Sequence, residues 1–119
     1  MKYLSLLPLL IFPALCEALT CTNYEPPSGK AIQLELDGGV TYFTVPATLE
    51  GQRLESVTLW AYPLGRDASG ELVAPLAFKA AGDSMKGHFV ITAPFLEAEI
   101  TATYSKDVCG PRLVSSVGI

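Results

Sequence analysis

The sequence predicts an all-β domain in which antiparallel sheets face each other around one core. Three observations predict it. Apolar and polar residues alternate with period two over much of the chain, turn-forming Gly, Pro and Asp residues punctuate that alternation, and no stretch carries a helical stripe. Alternation signals a strand because successive side chains point to opposite faces, so that one face enters a core while the other meets water.

The chain opens on a segment of a different kind. Met1-Lys2 gives a positive start, residues 3–15 are almost continuously apolar, and Cys16-Glu17-Ala18 sets small residues where a signal peptidase reads them. Residues 1–18 are therefore expected to be an export signal removed before Leu19, leaving residues 19–119 as a single domain, periplasmic or secreted. A membrane span wants about 20 apolar residues, whereas this stretch is interrupted by Pro8 and Pro13. No stable membrane span is expected after processing. Lipid attachment is a rival, but Leu15 before Cys16 and Thr20 before Cys21 are larger than the residue such processing favours.

The lead-in, residues 20–29, is polar and rich in turn formers, with Pro26-Pro27 forcing an extended path. Period two begins after Lys30: Ile32, Leu34 and Leu36 alternate with Gln33, Glu35 and Asp37. Asp37-Gly38-Gly39 supplies residues that tolerate positive φ, and 40–45 returns rich in β-branched and aromatic residues, which predicts a hairpin. Pro46 ends that strand, and 48–52 is expected to be a loop. The longest candidate, 54–64, places Val57, Leu59 and Ala61 on one face and Thr58, Trp60 and Tyr62 on the other, as a central strand covered on both sides would. The most polar loop, 65–71, precedes a weaker strand over 72–80 whose Pro75 argues for a sheet edge or a bulge. A turn is expected over 82–87, then strands over 88–92, 98–105 and 112–117, with Ile100, Ala102 and Tyr104 lining one face of the penultimate strand.

About seven short strands of this kind predict an antiparallel immunoglobulin-like β-sandwich, with a small β-barrel as the alternative. Trp60 on the third strand would suit such a core, although the usual cysteine pair between the second and sixth strands is missing. With Cys16 lost in the signal, Cys21 and Cys109 remain, and an oxidising compartment joins them. One disulfide would then close nearly the whole domain, and loops of that length are worth about 4 to 5 kcal/mol.

Eight basic and twelve acidic residues give a formal net charge of −4, with both signs scattered. Phosphate neutralisation needs clustered Lys and Arg, so nucleic acid is not an expected partner. Catalytic constellations are weak. Asp83, Ser84 and His88 have the residue types of an acyl-transfer triad but crowd into one turn and the start of the next strand, where Asp and Ser are ordinary turn formers. The carboxylate pairs Glu35/Asp37 and Glu97/Glu99 have the spacing of any solvent-facing strand, with no aromatic platform evident beside them. Met85 and His88 offer two donors to copper where a stable site wants three or four. No catalytic residue, cofactor or metal is expected, and the protein is read as a non-enzyme.

Surface recognition remains. Loops on a rigid sandwich vary their side chains at little cost to the fold. Tyr24 beside Pro26-Pro27, Arg66-Asp67 in the polar loop, and Phe95-Leu96 after Pro94 are the candidate partner-binding residues. The expected function is an exported module that binds another envelope or secreted protein, as an inhibitor or immunity-type protein against a cell-envelope hydrolase or toxin. The alternative is a structural or assembly subunit pairing through an exposed sheet edge, the strand at Pro75 or the terminal strand.

Overall fold

The computed structural model describes residues 24–65, 70–92, 94–106 and 109–118. The segment expected to be an export signal, Cys21, Arg66 and Asp67 lie outside the described residues. All regular elements among the described residues are β-strands: β1 Gln33–Asp37, β2 Val40–Pro46, β3 Thr48–Leu49, β4 Gln52–Arg53, β5 Ser56–Tyr62, β6 Leu72–Leu76, β7 Lys79–Ala81, β8 Ser84–Phe89, β9 Glu97–Thr103 and β10 Arg112–Ser116. They form two four-stranded sheets, ordered β1-β2-β8-β7 and β10-β9-β5-β6, and a separate β3-β4 hairpin. Every pairing is antiparallel. Neither large sheet closes on itself, so the barrel alternative is overturned.

The first hairpin forms where the sequence places it. Gly38 and Gly39 both adopt positive φ, 60° and 83°, which matches the twist of the flanking strands and pairs Asp37 with Val40. Leu34 and Leu36 then fall opposite Phe43 and Thr41, on the inner face. Leu36 is nevertheless 68% exposed, because β1 is an edge and its far end has no strand beyond it. The strand at Pro75 is also an edge, β6, where a residue without an N–H is tolerated. The terminal strand β10 is the other edge of that sheet.

Four expectations are corrected. The single strand expected over 72–80 divides into β6 and β7, which belong to different sheets. The loop over 48–52 contains the β3-β4 hairpin, which tucks Leu49 into the core. The turn over 82–87 is much shorter, since β8 starts at Ser84 and ends at Phe89, ahead of the expected 88–92. Pairing with β2 on one side and β7 on the other overrides the turn-like composition of Ser84 to Gly87. Trp60 does not enter the core either. Its neighbours Val57, Leu59 and Ala61 take the inner face and are buried, which leaves Trp60 half-buried on the outer one.

Buried side chains from both large sheets make one core, with Phe43, Val45 and Phe89 from the first and Val57, Ile100 and Leu113 from the second. Ile100, Ala102 and Tyr104 line the inner face of β9 and its end, as the alternation predicts. Gly87 is half-buried and falls opposite Phe43, on the face of β8 that meets this core. A Cβ at Gly87 would lie 2.5 Å from the Ala77 carbonyl oxygen and 2.6 Å from Phe43 Cε2, so the aromatic ring occupies the space a side chain would need.

Tyr104 ties the sheets together. Its hydroxyl donates to the Pro46 carbonyl oxygen at 2.6 Å, joining the end of β9 to the end of β2. Burial pushes its ionisation up to about 12. The folded state thus holds the phenol proton through a window in which the unfolded chain, titrating near pH 10, has released it. Stability is full below about pH 10 and falls as pH rises toward about 12. Tyr104→Phe is expected to cost about 1 to 2 kcal/mol at neutral pH, the penalty for a buried carbonyl left without its donor. It is also expected to flatten this alkaline loss, and urea unfolding at several pH values reads both effects.

Candidate functional site

The described surface has one concentration of apolar side chains, at the β6 edge. Leu72 and Ala74 fall opposite Ala61 and Leu59, on the inner face of the sheet, yet both are exposed. The connection from β8 to β9 runs past them. Together, Leu59, Ala61, Leu72, Ala74, Ile91 and Phe95 line a groove of about 200 Å³. Two of the large apolar residues that line it are more than half exposed, Leu72 at 54% and Val90 at 53%. Isolated exposed leucines are ordinary, whereas several around one groove mark a contact surface. The Leu96 N–H donates to the Tyr62 carbonyl at 3.2 Å, anchoring the Phe95-Leu96 segment to the end of β5.

Of Phe95 and Leu96, flagged in the sequence as an apolar pair after Pro94, the first is thus part of this surface. Phe95 is half-buried in the groove, and Leu96, the next residue, is 70% exposed and not part of its lining. Tyr24 lies elsewhere. With Pro26 it lines a cleft against Arg112 and Val114 of β10, the opposite edge of the same sheet. Its hydroxyl donates to the Glu50 carboxylate. Desolvation first, and then the Glu50 carboxylate, push its ionisation up to about 12. Glu50 itself, in the β3-β4 turn, holds a left-handed φ of 49°. The lead-in is therefore tied to the hairpin as well as laid beside β10. Arg66 and Asp67 lie outside the described residues, and Cys109 is in an exposed turn between β9 and β10.

The fold separates the residue types that the sequence sets close together at Ser84, Met85 and His88. Ser84 and His88 share a face of β8 but sit four residues apart, about 13 Å along a strand, beyond hydrogen-bond reach. Met85 and His88 point to opposite faces, Met85 toward the core and His88 to the exterior. Among the described residues, no group of three or more His, Cys, Asp or Glu side chains is placed to hold a metal ion. No helix among them is long and apolar enough to cross a membrane.

Register brings together what the linear sequence keeps apart. Glu97 falls opposite Tyr62 and Glu99 opposite Trp60, while Glu35 falls opposite Tyr42. The expectation that no aromatic accompanies the carboxylate pairs is therefore corrected. On the outer face of the other sheet, Tyr42 falls opposite His88, with ring centroids 5.9 Å apart. Lys79 falls opposite Lys86. None of these neighbours could be read without knowing which strands pair.

No protein-family model, curated protein or solved structure matches this chain.

Proposed function

We propose that the protein is an exported, non-enzymatic binding module whose β6 groove receives an apolar segment of another envelope or secreted protein. The observation that carries this reading is the exposure of Leu72 and Val90, with half-buried Ile91 and Phe95, around a groove in an otherwise well-formed core. Apolar area of this kind is costly to leave in water, at roughly 25 cal/mol per Å², and a partner's side chain removes it. Blocking a cell-envelope hydrolase or toxin is the role we assign, by a steric mechanism in which the Phe95-Leu96 segment packs against the bound partner.

The scaffold in this reading is an immunoglobulin-like β-sandwich. Its support is the strand order: β1-β2-β8-β7 corresponds to A-B-E-D and β10-β9-β5 to G-F-C, with β6 added beside C. A Cys21–Cys109 bridge belongs to the same proposal and is supported by the disulfide-bonded state of the Cys109 sulfur. Export with removal of residues 1–18 supplies the oxidising compartment.

A photo-crosslinking residue placed at Leu72 or Val90, both exposed and lining the groove, tests it in the native host. Both positions are expected to give one adduct with a single envelope protein, competed away by excess unmodified chain, while the same residue at Gln52 on the distant hairpin gives none. Equal labelling from Gln52, or no adduct from the groove, would reject the reading. An adduct of two copies of this chain would favour assembly instead. For that second reading the specific edge is β6, since the lead-in with Pro26 flanks β10. Pro75 weakens it by removing a backbone donor from the edge.

A further inference from the structure

We propose that the outer face of the β1-β2-β8-β7 sheet carries a binding site for a phosphate group, formed by Lys79, Lys86, His88 and Tyr42. The register places Lys79 and Lys86 directly opposite each other on neighbouring strands. Directly opposed side chains on one face start about 5 Å apart at Cβ, and like charges at that position repel. His88 follows Lys86 by two residues on the same face, about 7 Å further along. Tyr42 flanks it, its ring tilted 44° against the imidazole. Between them lies a depression of about 270 Å³, lined as well by Ala81 and by the strand backbone at Ala80 and Gly87.

The rest of this face does not neutralise the lysines. Their row across the sheet continues through Thr44 to Gln33, both uncharged. The row on one side contains Pro46, Ser84 and Ala81. On the other side stand His88, Tyr42 and Glu35, where the tyrosine separates the carboxylate from the imidazole. Asp83 lies beyond the row of Ser84, in the turn, lining a different cleft with Lys30. A chain of net charge −4 thus concentrates two of its cations, its one histidine and a phenol around a single hollow.

Phosphate is the chemistry that suits this arrangement. Two ammonium groups act as point charges, which tolerate the tetrahedral spread of phosphate oxygens. The imidazole and the Tyr42 hydroxyl add directional donors, and the Tyr42 ring offers an apolar face for the carbon skeleton bearing the phosphate. The site shares no residue with the β6 groove, so the two readings stand or fall separately.

The test titrates the exported chain, labelled for amide NMR, with inorganic phosphate, glycerol 3-phosphate, and vesicles of phosphatidylglycerol or of phosphatidylcholine. Saturable shifts centred on Tyr42, Lys79, Lys86 and His88 are expected with at least one phosphate source. Response to the soluble phosphates assigns a free phosphate ester. Co-sedimentation with phosphatidylglycerol but not phosphatidylcholine vesicles, without a soluble response, assigns a lipid headgroup. Lys79→Gln and Lys86→Gln are each expected to weaken binding at least tenfold, and Lys30→Gln to leave it unchanged. Both lysine variants are also expected to keep or raise the thermal midpoint, since each removes a like-charge pair. Absence of saturation with every source, or equal loss in Lys30→Gln, would overturn the proposal.

Discussion

Replacing Gly87 with alanine is expected to destabilise the fold by about 3 kcal/mol, the upper range for overpacking a closed core. The added methyl meets two obstacles at once, the Phe43 ring and the Ala77 carbonyl oxygen. The ring can rotate only into a core already filled by Val45, Phe89 and Ile100, and the carbonyl belongs to the backbone crossing between β6 and β7. Shrinking the ring should therefore rescue only part of the loss. Gly87→Ala combined with Phe43→Leu is expected to be more stable than the sum of the single changes and still weaker than the parent, a coupling that a double-mutant cycle in urea measures directly. Additive losses would show that Phe43 is not what fills the space.

The second large effect concerns the bridge proposed between Cys21 and Cys109. Converting both residues to serine is expected to cost about 4 kcal/mol, from the loop-closure entropy returned to the unfolded chain. Small domains hold only about 5 to 15 kcal/mol in total, so the loss would take from about a quarter to most of the margin. Reduced parent and double variant should unfold at the same urea concentration, below that of the oxidised parent. If all three coincide, no disulfide links the two ends. Mass spectrometry of the unreduced protein checks the pairing independently, because residual alkylation of either thiol counts against it.

Much of the strand plan was legible because alternation reports directly on which face is buried. β1, β2, β5, β9 and β10 lie within or close to the segments the alternation marks, and Pro75 announced an edge. The start of β8 was not legible. Ser84, Lys86 and Gly87 read as turn residues when taken locally, and only their pairing with β2 makes them a strand. β3 and β4, two residues each, are too short for any periodicity to register. Trp60 failed differently: its size suggested a core position, while its phase along β5 placed it outside.

For the surfaces, the sequence marked segments and the structure supplied neighbours. Phe95 and Leu96 stood out as an apolar pair after Pro94 between two strands, and Phe95 lines the groove. Its companions Leu72, Val73 and Val90 come from strands and loops with unremarkable sequences, and only tertiary proximity collects them. The juxtapositions of Lys79 with Lys86 and of Tyr42 with His88 are likewise properties of register, which a linear pattern does not contain.

The strand order also governs how this chain must fold. β2 finds its inner partner only at β8, and β5 only at β9, so neither central pairing can close until distant sequence is present. Loop closure on that scale precedes any reward from contact, which places β-rich domains of this topology in the millisecond-to-second range. Emerging from its N-terminus first, the polypeptide would carry β2 and β5 without those partners until its second half arrives, and during that interval it is most exposed to mispairing with other copies of itself.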